Sequence, residues 1–145
     1  MNHDHYSSAY ICNILGSVHT IAVVGASPND SRPSHGVMGF LLGKGYHVIP
    51  VNPGHAGKTI LGQTVFARLA DIPEPVDMVD VFRASSHFSD VVDEVLRLKP
   101  LPAVIWGQFS VRDDDAARRA EAAGLQVVMD RCPVTEFPHL MRRAS

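Results

Sequence analysis

Ten consecutive residues, Gly25-Ala26-Ser27-Pro28-Asn29-Asp30-Ser31-Arg32-Pro33-Ser34, gather what an anion needs from a protein. Gly25 permits a tight turn and lets backbone amides come close to a ligand. Ser27 and Ser34 bring hydroxyl donors, and Arg32 brings a forked guanidinium that matches phosphate oxygens. A connection of this length is long for a turn between a strand and a helix. Its donors crowd towards the start of the following helix, where unpaired N–H groups attract negative charge. The segment therefore reads as a phosphate-binding loop. It is not the dinucleotide fingerprint G-x-G-x-x-G, because the next glycine after Gly25 is Gly36. The second strand also ends in Val51-Asn52-Pro53, without the acidic residue that holds an NAD ribose.

Other reactive side chains are sparse. His3, Asp4 and His5 read as a mobile polar terminus rather than as metal ligands, since no second pair completes a four-ligand set. His19, His35, His47, His55, His87 and His139 are scattered and form no H-E-x-x-H pattern. Cys132 reads as a small buried residue, with Arg131 beside it as the one reason to consider a reactive thiolate. Asp77 and Asp80 read as polar groups at a strand end or facing a helix. Trp106 stands either in the core or at a ligand edge.

The elements that must position these residues follow from hydrophobic period and turn chemistry. Strands are expected at Thr20–Val24, His47–Val51, Met78–Phe82, Ala103–Trp106 and Gln126–Met129. Pro50 should sit at the end of its strand or on an unpaired side. Helices are expected between Ser8 and Val18, over Ser34–Lys44 with Gly45 as terminator, from a Ser85 or Ser86 cap to Leu96, and over Asp113–Ala123. A short helix is expected at Phe66–Ala70, after turn-rich Asn52–Gly62. Strands alternating with helices imply an α/β, Rossmann-like, doubly wound and mainly parallel sheet of about five strands. The division is an N-terminal segment over 1–19, one domain over 20–140 and a tail over 141–145. Apolar Ala9–Leu15 either covers the sheet or pairs two subunits as a homodimer.

Composition narrows the function classes. The chain has 145 residues, 46% of them hydrophobic and 19% charged, with a formal charge of −2, so a packed core is expected and no basic face invites nucleic acid. Two cysteines in no metal spacing suit a reducing compartment. With no apolar run of spanning length, the expectation is a cytoplasmic protein without membrane contact.

Five blocks in register, VVGASPNDSRPSHGVM, GYHVIPVNP, AGKTILG, VDMVDVFR and VVMDRCP, resemble the small single-domain CoA-binding proteins. These are related to the CoA-binding domain of the succinyl-CoA synthetase α subunit, and the likeness runs from Thr20 to Leu140. The resemblance implies coenzyme A as cofactor, held across the strand ends. By position, Gly25, Ala26, Ser27 and Arg32 would hold the diphosphate, with Ser34 beside them. Val51, Asn52 and Pro53 would line the nucleotide end, Phe82 and Arg83 would close the next strand, and Trp106 and Gln108 would flank the pantetheine arm. Two departures stand out. Gly54-His55 replaces a lysine after Asn-Pro, leaving Lys58 as the nearest cation, and Phe109-Ser110 stands where a second glycine is usual. The expected function is non-catalytic binding of coenzyme A or an acyl-CoA. The alternatives are an NADP-dependent oxidoreductase-like domain and an interaction module with a lapsed pocket.

Overall fold

Residues 1–137 are described by a computed structural model. Thr20–Val24 (β1), His47–Val51 (β2), Met78–Val81 (β5), Val104–Gly107 (β6) and Gln126–Val128 (β7) form one parallel sheet in the order β2-β1-β5-β6-β7. The expected doubly wound α/β sheet of five strands is thus the observed one. Its order reverses between β1 and β5, and in such sheets ligands gather at that switch point, beyond the carboxyl ends of the strands.

Successive side chains of each strand enter opposite cores. Ile21, Val23, Met78, Val104 and Trp106 pack with helix Ser8–Ser17 (α1) and helix Pro33–Gly43 (α2). Ala22, Val24, Val79, Val81 and Ile105 pack with helix Ser85–Leu96 (α3) and helix Asp114–Ala122 (α4). Burial on both faces explains why the strands read as continuous apolar runs.

Several local expectations hold and others shift. Gly45 adopts φ +95° after α2, and Asp113 caps α4 by accepting the Ala116 N–H at 3.1 Å. Pro50 sits inside β2 rather than at its end. Its carbonyl accepts from Phe66 N at 3.0 Å on the outer side of this edge strand, so the missing N–H costs no ladder bond to β1. The turn-rich stretch contains a small hairpin, Thr59–Ile60 (β3) and Gln63–Thr64 (β4), too short to show a period. In place of a helix at Phe66–Ala70 there is one 3-10 turn at Leu69–Asp71.

The N-terminus departs most from expectation. His3 is buried at 5% exposure, not mobile. The Tyr6 hydroxyl accepts from Met129 N at 2.9 Å and donates to His3 Nδ1 at 2.7 Å, which leaves His3 Nε2–H to donate to Glu121 at 2.9 Å. One helical turn on, the Tyr10 hydroxyl donates to Val127 O at 2.8 Å and accepts from Val127 N at 3.0 Å. Two phenols therefore satisfy backbone groups of edge strand β7 at Val127 and just beyond it at Met129. Ile11, Ile14 and Leu15 of α1 are buried against the sheet within one chain, so this apolar stretch covers the sheet. Beyond β7 the backbone is helical over residues 133–137. His139, Leu140 and the expected tail over 141–145 lie outside the described residues.

Candidate functional site

At the switch point the loop after β1 and the loop after β5 converge on Gly25. Its φ is +86°, and a Cβ there would stand 2.8 Å from Phe82 O, so both conformation and space require glycine. Gly25 N–H donates to Val51 O at 2.9 Å, joining the ends of β1 and β2. The rest of the loop is knit by its own short side chains. Ser27 N–H donates to Ser34 Oγ at 3.1 Å, Asn29 N–H to Ser27 Oγ at 3.1 Å, and Ser31 N–H to Asn29 Oδ1 at 3.0 Å. The Ser27 and Ser34 oxygens accept from backbone and keep their own protons to donate, whereas the Ser31 hydroxyl donates to Asn29 Oδ1 at 2.8 Å. Arg32 occupies the N-cap position of α2 without a side-chain cap bond, Pro33 after it has no N–H, and His35 N–H donates to Arg32 O at 3.1 Å.

This loop forms one wall of a cavity of about 710 Å³. Gly25, Ser27, Arg32, Ser34 and Asn52 line it on one side, and Phe82, Arg83 and Gln108 on the other. Arg32 and Arg83 are both exposed, and neither enters a salt bridge among the described residues. The lining contains no aspartate or glutamate at all. Two guanidiniums without a salt-bridge partner among the described residues, beside the N-terminal end of α2, make a field suited to a phosphorylated ligand.

Not every expected residue reaches this cavity. Asn52 lines it but is also a brace, donating from Nδ2 to Ala26 O at 2.8 Å and accepting Gly54 N–H at 2.9 Å. Ala26 itself is fully buried. Val51 and Pro53 line a neighbouring hollow of about 380 Å³ that shares Gly25, Asn52 and Arg83. Lys58 stands exposed beside the β3–β4 hairpin and lines neither space. Trp106, at 0% exposure, is core, and its Nε1 donates to Arg131 O at 2.9 Å. Cys132 is buried as expected, and its residue also borders the cavity.

The far wall runs from Gln108 to Val111, just after Gly107. A Cβ on Gly107 would lie 2.9 Å from Val111 O, so the chain folds back tightly there. Ser110, at φ +71°, donates its N–H to Asp130 at 2.7 Å. Ser85 does not cap α3. Its hydroxyl donates to Ser110 O at 2.8 Å and accepts Arg112 N–H at 2.9 Å, pinning the turn from outside. Sequence reasoning missed this role, because a serine before a helix signals a cap first. Phe109 projects from the turn at 57% exposure and forms the rim. His55, of the Gly54-His55 pair that stands where a lysine is expected, also lines the cavity, with its Nδ1 enclosed and unpartnered among the described residues.

Gln108 is the best-held side chain of that wall. It is 6% exposed, and its Nε2 donates to Asp80 Oδ1 at 2.8 Å. Asp80 faces the helix side of the sheet, as expected, since its register partners Val23 and Trp106 belong to the core that includes α1 and α2. It lies within β5, fully buried, and burial pushes its carboxyl up to about 7 against the smaller opposing pull of Gln108.

A family model described as "CoA binding domain" matches residues 19–138 of this chain. Over 126 residues the chain is 36% identical to the uncharacterized protein YneT of Bacillus subtilis, covering 87% of this chain and 90% of that one. A Thermus thermophilus protein titled "cell-free ID.343" superposes with a TM-score of 0.86 at 38% identity, covering 93% of this chain and 99% of its own. The fold alone is shared with a dinucleotide-forming acetyl-coenzyme A synthetase of Ca. Korarchaeum cryptofilum. There the TM-score is 0.64 at 23% identity, and the match covers 77% of this chain but 26% of the synthetase.

Proposed function

The chain belongs to the CoA binding domain family, and on that premise we propose that its cavity holds coenzyme A or an acyl-CoA without transforming it. The observation that carries this reading is the pairing of Arg32 and Arg83 around a cavity whose lining has no carboxylate. Coenzyme A presents a diphosphate and a 3′-phosphate, and each guanidinium can hold phosphate oxygens in a forked pair. The volume of about 710 Å³ lies within the range of cofactor sites. Phe82, Val111 and Phe109 give the same cavity an apolar side suited to a pantetheine chain.

Holding rather than turnover is favoured by how the polar residues are used. Ser27, Ser34 and Asn52 bond to loop backbone, as a scaffold does, instead of pairing with one another as nucleophile and base. Phe109 stands on the rim and does not fill the cavity, which argues against a lapsed pocket. The NADP reading keeps one supporting observation, since the same two arginines suit a 2′-phosphate.

Isothermal titration with coenzyme A, NADP and NAD separates these readings. Coenzyme A alone is expected to bind. Arg32→Ala should weaken it by about 1.5–3 kcal/mol, the scale of a charge-assisted hydrogen bond, while thermal stability stays within about 0.5 kcal/mol of the parent. A signal only with NADP moves the domain to the oxidoreductase-like class, and silence with all three favours an interaction module.

A further inference from the structure

Asp80 is a group the fold does not need. Its register partners on β1 and β6 are Val23 and Trp106, and side-chain alternation puts it on the apolar face they share. Val79 and Val81 show what the neighbouring positions of the same strand use. A carboxyl here loses its hydration, and Oδ2 finds no hydrogen-bond partner among the described residues. Only Oδ1 is employed, and it is employed on Gln108, which lines the cavity.

We propose that Asp80 is a positioning residue for ligand recognition: by taking one amide proton of Gln108 it fixes that side chain so that its carbonyl oxygen meets an amide N–H of the pantetheine arm. The inference rests on the reading of the cavity as a coenzyme A site. An unanchored glutamine has three side-chain torsions and two interchangeable amide ends, so it offers a ligand a donor as often as an acceptor. Once Nε2 is bound to Asp80 Oδ1, the amide plane and its polarity are set, and no described residue bonds to Oε1. The backbone is equally constrained, with Gln108 N–H donating to Val81 O at 3.2 Å and Gln108 O accepting Val111 N–H at 2.9 Å. Preorganised acceptors gain affinity because less freedom is lost on binding. That gain accounts for keeping a carboxyl where valine would pack.

The test compares coenzyme A with 3′-phospho-ADP, the same nucleotide without its pantetheine arm, by calorimetric titration of the full chain. For Asp80→Val we expect coenzyme A to bind about tenfold more weakly, the worth of one hydrogen bond, with 3′-phospho-ADP unchanged. The melting temperature should not fall, because an apolar residue replaces an unsatisfied buried acid. Asp80→Asn retains an acceptor for Gln108 and should rescue most of the coenzyme A affinity. In Gln108→Leu the same tenfold loss is expected, and adding Asp80→Val to it should cost nothing more.

Unchanged coenzyme A binding in Asp80→Val overturns the inference. So does an equal loss of both ligands, which would mark a merely structural role, and so does a double variant whose losses add. If the parent chain binds neither ligand, the coenzyme A reading itself fails, an outcome distinct from parent-like binding by Asp80→Val.

Discussion

At the amino-terminal end of the sheet, Asp77 stands just before β5 and accepts two backbone N–H groups, from His19 at 2.8 Å and Thr20 at 2.9 Å. Towards the carboxyl end, Asp80 on the same strand is shut among apolar residues with one oxygen bonded and the other unmet. Both side chains are carboxyls, yet one end of the sheet closes its polar groups on each other and the other end leaves them open. The same contrast separates the loops. His19 and Thr20 are fastened to Asp77 where β1 and β5 begin, whereas beyond the ends of β1 and β5 Arg32 and Arg83 line the cavity. Satisfied polar groups stabilise the fold, and unsatisfied ones mark where a ligand is to be met.

The sharpest break of this contrast is Gly25→Val. A side chain there meets Phe82 O and must adopt φ +86°, so both the loop and its ligand are lost. We expect destabilisation of about 3 kcal/mol or more in denaturant unfolding, with coenzyme A binding abolished. A well-folded variant that binds normally would show that the switch point is not the site.

Asp80 sharpens the contrast through pH. Burial pushes its carboxyl up to about 7 in the folded chain, against about 4 for an aspartate in water. Between these values the unfolded chain ionises while the native chain keeps its proton. Stability therefore declines as pH rises from about 4 to about 7 and levels off above that. Comparing the parent with Asp80→Asn across this window isolates the effect, a few kcal/mol in size, and parallel curves would refute it.

Asp77→Ala acts at the closed end and should be smaller. Two backbone N–H groups lose their acceptor, for about 1–3 kcal/mol in thermal unfolding, with coenzyme A affinity untouched. A matching loss of affinity would mean that the two ends of β5 are not separable.

The legibility of the chain follows the same division. Thr20–Val24 and His47–Val51 match their expected bounds because a strand buried on both faces writes its length as an apolar run. Gly45 and Asp113 were readable because helix ends depend on one residue's own backbone or oxygen. The part of the loop from Gly25 to Ser34 that lines the cavity could be picked out for a similar reason, its donors being adjacent in sequence. Trp106 was not, since strand residues of the same type face core or ligand according to what lies across the sheet. Ser85, Asp130 and Asp80 act through partners 20–28 residues away, and no local pattern announces such pairs. His3 was concealed likewise, its place depending on Glu121 at the other end of the chain.

The two tyrosines on β7 have a consequence for the order in which the molecule is completed. Tyr10 and Tyr6 bond to residues 117 and 123 positions further along. During synthesis the segment bearing them emerges well before the strand it fastens. Closing loops of that length is slow relative to forming neighbouring turns. Docking of the two tyrosines must therefore wait until β7 has been made.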